Sequence, residues 1–190
     1  MEAFSDGVIA ILITIMVLEL KVPHGHDLAA LRPLLPTFLG YVLSFLYLGI
    51  YWNNHHHMLQ ASKHIDGGVL WANLHLLFWL SLVPVATTWV GENPFASGPT
   101  AFYGFLLLMA GLAYWVLQNR LTKLQGEGSV LRRAFGRDLK GRGTPAVYVA
   151  GILLSFVQPW MGQACYLFVA LVWLVPDPRI ERELTTSHLK

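Results

Sequence analysis

Residues 4–21 read Phe-Ser-Asp-Gly-Val-Ile-Ala-Ile-Leu-Ile-Thr-Ile-Met-Val-Leu-Glu-Leu-Lys. Between Asp6 and Glu19 this stretch carries no charge. It has no basic leader and no small-residue cleavage site, so the pattern predicts a retained membrane span rather than a signal peptide. At about 100° per residue, Ile11, Ile15 and Leu18 fall within roughly 60° of one another. Thr14 lies at the edge of that stripe, and Asp6 points about 140° away from Ile11. Any apolar helix offers such a stripe, so spacing alone leaves it as a lipid-facing or core surface. The acid is more informative. Ionisable groups within a span are expensive and turn toward neighbouring helices or a cavity.

The rest of the chain repeats the apolar theme. Further runs cover about 37–57, 68–91 and 101–118. The 32 residues from Pro145 to Pro176 are too long for one span of about 20 residues. Pro159, Gly162 and Gln163 supply a turn, which divides the stretch into spans at about 145–159 and 162–176. With 4–21 this predicts an all-α integral membrane bundle of six transmembrane helices, a single domain over 1–190. Hydrophobic residues make up 55% of the 190 and charged residues 13%, off the distribution of soluble domains. No Lys or Arg occurs between Lys63 and Arg120, or between Arg142 and Arg179. A soluble enzyme, a disordered chain and a disulfide-stapled domain are all disfavoured.

Charge also predicts orientation. With six spans, one side collects Lys63, seven Lys and Arg in 118–144 and three in the tail, eleven of the 13 in all. The other side holds only Lys21 and Arg32. The positive-inside rule then places both termini in the cytoplasm of a multi-pass protein of the inner (plasma) membrane. The basic loop reads as contact with anionic lipid headgroups, with no nucleic-acid partner. Tyr51, Trp52, Trp71, Trp89, Tyr114, Trp115, Trp160 and Trp173 lie near span ends, where amphipathic rings settle. Cys165, the single cysteine, reads as a buried inert thiol.

Polar residues inside spans converge in one leaflet. Ser5 and Asp6 open the first span, Asn53 to His57 close the second, and Asn73 and His75 lie early in the third. This set reads as structural glue among three helices, with a titrating switch as the sharper alternative. Three consecutive helical histidines point about 100° apart and cannot share one ion, so no metal site is predicted there. No carbonyl filter, voltage sensor, phosphate loop or hydrolase motif is present, and no enzyme activity or cofactor is expected.

The Phe4-Ser5-Asp6 opening, its aliphatic continuation, the Asn-Asn-His-His-His at 53–57 and the six spans together resemble prokaryotic relatives of the lysosomal potassium channel, transmembrane protein 175. The resemblance covers essentially the whole chain. It implies a potassium-permeable channel, assembled as a homotetramer around a central pore lined by the first helix. It places the pore constriction on Ile11, Ile15 and Leu18, made by aliphatic side chains, and a hydroxyl layer on Thr14. His55, His56 and Asn73 would brace the helix from behind, with Ser5 and Asp6. K+ is the permeant ion, and the partners are further copies of the chain and membrane lipid. The family's arginine, four residues before the phenylalanine, would fall ahead of Met1. The competing expectation is a small proton- or cation-coupled secondary transporter using Asp6 and the second-span histidines. Carriers usually show paired repeats and broken helices, and Pro84 is the one clear break here.

Overall fold

The computed structural model describes residues 1–24, 26–126 and 139–174. Residues 127–138 of the basic 118–144 segment and the polar tail after Leu174 lie outside the described residues. What is described is all-helical: α1 (Glu2–Leu18), a 3-10 turn (Leu28–Leu34), α2 (Leu35–Gln60), α3 (Gly67–Ser81), α4 (Val83–Glu92), α5 (Ser97–Gln125), α6 (Leu139–Val157) and α7 (Pro159–Leu174). Leu28–Gln60, Gly67–Glu92 and Ser97–Gln125 are long and apolar enough to cross a membrane by length and composition. The 17 residues of α1 rise about 26 Å, close to the roughly 30 Å hydrocarbon thickness.

The third span is α3 and α4 together, interrupted at Leu82. Pro84, at the start of α4, has no N–H to continue the ladder. The helix resumes as the Ala86 N–H donates to the Leu82 carbonyl at 3.2 Å. Asp66 caps the other end of α3, its Oδ1 accepting from the Val69 N–H at 2.7 Å. The turn between α6 and α7 is tighter than the sequence suggests. It closes at Gln158, and Pro159 starts α7 where a missing N–H costs nothing. Gly162 therefore lies inside a helix.

Its role is close packing. A Cβ on Gly162 would collide with Ser155 Oγ and approach the Gly151 carbonyl at 2.7 Å. Gly104 on α5 and Gly151 on α6 likewise leave room for the ring of Tyr166. Small residues at crossings are how helices approach without a hydrophobic drive between them. Tyr166 thus sits in a slot between α5 and α6, buried with Tyr47, Tyr103 and Tyr148. Its carbonyl accepts the Tyr47 hydroxyl at 2.6 Å. Ser44 bonds both Thr87 (2.6 Å) and the Tyr103 hydroxyl (2.9 Å), linking α2, α4 and α5. These mid-bundle hydroxyls are paired, as a site without water requires.

A second core joins α1 to the bundle. Ile9, Leu12 and Met16 pack with Leu48 and Met58 of α2, Leu76 and Leu80 of α3, and Leu117 and Leu121 of α5. At the far end of α1, Lys21 meets Glu92 at 3.0 Å on the surface. One sequence expectation is corrected here. Tyr114 is a core residue, its ring 6.0 Å from that of Tyr51, and not an interface anchor. The reason is that α5 continues two turns beyond 118, so Tyr114 falls well inside the helix. Hydropathy stops at the polar residues Gln118, Asn119 and Arg120; helix propensity does not.

Candidate functional site: the two faces of α1

The alternation along α1 is sharp. Ser5, Ile9, Leu12 and Met16 are buried, spaced four, three and four residues apart. That is one face of a helix, and it is held by α2, α3 and α4. The other face is Ala3, Phe4, Gly7, Ala10, Ile11, Thr14, Ile15 and Leu18, all exposed in the single chain. Ile11, Ile15 and Leu18 are 56%, 43% and 82% exposed. Phe4, Ile11 and Leu18 follow at seven-residue intervals, so they stay within about 40° of one line. The cavities of about 310 and 610 Å³ elsewhere in the bundle are lined without any α1 residue. The stripe is therefore an outward surface of the chain and not the wall of an internal pocket.

Thr14 has its hydroxyl committed as a donor. Oγ1 lies 3.1 Å from the Ala10 carbonyl and 2.9 Å from the Ile11 carbonyl. A hydroxyl that donates backward to its own helix keeps its oxygen lone pairs outward. The residue thus presents acceptor oxygen in an otherwise aliphatic stripe.

Behind α1, polar side chains line up in order. His55 of α2 is fully buried and its Nε2 lies 2.7 Å from Asn73 Oδ1. Asn73 Nδ2 donates to Ser5 Oγ at 2.9 Å, and Ser5 Oγ donates to the Met1 carbonyl at 3.2 Å. With the amide oxygen accepting, His55 carries its proton on Nε2. The chain His55–Asn73–Ser5 joins α2, α3 and α1 through directional bonds. His56 does something different. Its Nδ1 reaches Glu2 Oε1 at 3.0 Å, while its ring stacks on Trp52 with centroids 5.7 Å apart. Asp6 approaches this pair but its Oδ1 is buried with no hydrogen-bond partner. His75 turns away from the cluster and accepts from Trp79 Nε1 at 2.9 Å.

The structure therefore brings Ser5, Asn73 and His55 into one chain, places His56 beside it, and leaves Asp6 outside that hydrogen-bonded chain. Glu2 is the contact that sequence reasoning missed. Its four-residue spacing to Asp6 was the available signal, since i and i+4 share a helix face.

The comparisons with known proteins point one way. Residues 1–84 match the family described as endosomal/lysosomal potassium channel TMEM175. A protein named a potassium channel in Chryseobacterium sp. (strain P1-3) is 54% identical over 184 residues, covering 97% of this chain and 96% of that relative. Another named a potassium channel, in Streptomyces collinus, is 34% identical over 130 residues, covering 64% of this chain and 63% of that relative. Among solved structures, a lysosomal potassium-selective channel TMEM175 homolog from Chamaesiphon minutus superposes with a TM-score of 0.78 at 27% identity, over 90% of this chain and 93% of that one. The family and these relatives are ion channels and not enzymes. The chain is a multi-pass membrane protein, and it belongs to the TMEM175 family of potassium channels.

Proposed function

We propose that four copies of α1 surround the potassium pathway, with Ile11, Ile15 and Leu18 forming its constriction and Thr14 an oxygen-bearing layer between them. One observation supports this most: the face of α1 that packs on its own chain is Ser5, Ile9, Leu12 and Met16, which leaves Ile11, Thr14, Ile15 and Leu18 unpartnered on the opposite side. From Ile11 to Leu18 is seven residues, or about 10 Å of pathway. Closed, branched side chains exclude water and an ion cannot shed its hydration shell there; conduction stops by dewetting. Open, the helices separate or rotate and a hydrated column forms. Methyl groups cannot replace hydration oxygens, so discrimination among cations falls to the Thr14 hydroxyls.

The bond chain behind α1 would hold the stripe in register while the front face moves water and ions. The carrier reading of Asp6 and the histidines has less support. No hydrogen bond joins Asp6 to His55, and the relatives are named channels. In this reading both termini are cytoplasmic in the inner (plasma) membrane, following the basic-residue count.

The test is conduction in reconstituted bilayers. Ile11→Asn places a polar group in the proposed constriction and should favour the wet state. A fall of about 1.4 kcal/mol in the dewetting barrier raises basal K+ flux about tenfold. Unchanged flux and selectivity in Ile11→Asn would remove Ile11 from the pathway.

A further inference from the structure

Among the described residues, one cavity of about 520 Å³ lies away from α1, at the end of α5 beside the first turn of α3. Trp115, Asn119 and Lys123 follow on α5 at four-residue steps, so they form one stripe, with Arg120 next to it. The Arg120 and Lys123 side chains are exposed and, among the described residues, form no ion pair or side-chain hydrogen bond. The guanidinium is nevertheless placed: a Cβ on Gly68 would lie 3.0 Å from Arg120 Nη1. Glycine at 68 thus admits the planar fork against the first turn of α3. Asp66, the one acid in the wall, already accepts from the Val69 N–H as the cap of α3. On the opposite face of α5, Leu117 and Leu121 are fully buried, so the stripe stands on an anchored helix.

We propose that this cavity holds the headgroup phosphate of an anionic phospholipid, bridged by Arg120 and Lys123, with Trp115 against the glycerol backbone. The proposal rests on the membrane-channel reading above. Its chemistry is specific. A guanidinium offers a fixed pair of donors that suits phosphate oxygens, and an ammonium adds a point charge. From Lys123 to Trp115 is eight residues, or about 12 Å along the helix. That spans the depth from headgroup to upper acyl chain, where exposed indole rings settle. A soluble phosphate would use the two cations but gain nothing from Trp115, Val116 and Leu124 in the same wall.

The test uses the full chain, purified in neutral detergent and stripped of lipid. Phosphatidylglycerol or phosphatidylcholine is added, and retained lipid is counted by native mass spectrometry. Wild type and Lys63→Gln, a control lacking a basic residue outside the cavity, should each retain about one phosphatidylglycerol per chain. The Arg120→Gln/Lys123→Gln double variant should need roughly tenfold more of that lipid for the same occupancy, from the loss of charge-assisted bonds. Phosphatidylcholine should be retained weakly by all three, and inorganic phosphate in excess should not displace phosphatidylglycerol. Equal retention by the double variant would overturn the site. So would equal retention of phosphatidylcholine by wild type, or full displacement by inorganic phosphate, which would mark a soluble-anion site. If the double variant fails to fold, the single Lys123→Gln variant, expected to be several-fold weaker, carries the same decision. Potassium flux on the same preparations separates the two readings. Flux without selective retention sinks the lipid site alone; selective retention without flux sinks the channel reading alone.

Discussion

Thr14 and Asn73 carry opposite duties at the residue scale. Thr14 faces outward and its hydroxyl proton is spent on the Ala10 and Ile11 carbonyls, so in the proposed pathway its oxygen is open to a passing cation. Thr14→Val keeps the shape and removes the oxygen. The expected outcome is a K+/Na+ permeability ratio that falls toward one, with K+ conduction retained; reversal potentials under bi-ionic conditions measure it. Asn73 faces inward, and both ends of its amide are used. Asn73→Leu leaves His55 Nε2 buried with no acceptor and Ser5 Oγ without its donor. An unpaired buried polar group costs about 1–3 kcal/mol. The variant should therefore melt several degrees lower in detergent while still assembling. An unchanged melting temperature would mean that the bond chain contributes nothing to holding α1.

Elements show where sequence reading succeeded and where it stopped. The phase of α1 was legible, because Ile11, Ile15 and Leu18 share a stripe by arithmetic and Asp6 points elsewhere. Which side of that stripe would be covered was not legible. In lipid every face is apolar, and only the packing of Ile9, Leu12 and Met16 on α2, α3 and α4 decides it. Helix ends were misread for a related reason. Hydropathy marks where the membrane ends, whereas α5 runs on to Gln125 through polar residues that favour helix. The tight crossings of α5, α6 and α7 were also hidden. Gly162 reads as part of a turn in the sequence, and Gly104 and Gly151 fall inside predicted spans with no signal of their own, yet each is a contact that admits Tyr166 or Ser155. Gly104→Ala tests this at the element scale. The added methyl meets the Tyr166 ring, and overpacking of this kind costs about 1–3 kcal/mol. Thermal denaturation should show that loss. It should be largely relieved in the Gly104→Ala/Tyr166→Leu double variant, which removes the clashing ring at the price of its own burial.

For the whole molecule, the layout is of a bundle with one helix left half-covered. Two cores fasten α2 to α5 and α5 to α7, and α1 is attached by its rear face alone. An exposed aliphatic front on a membrane protein has two uses, lipid contact or assembly around an axis. The proposed function takes the second. It requires the front faces to meet, so purified protein in detergent should run as a tetramer, and cross-linked cysteines introduced at Ala10 should yield a dimer product. A monomer at all detergent concentrations would contradict it.

The central claim is tested most directly by asking what Leu18 touches in a conducting protein. It is the most exposed residue of the proposed constriction, at the end of α1. Leu18→Cys, in a Cys165→Ser background, should conduct K+ in a planar bilayer and lose current on one-sided addition of a membrane-impermeant methanethiosulfonate. A Leu18→Cys channel that carries full current while its thiol is reached only by reagents dissolved in the acyl phase would place α1 against lipid and contradict the account.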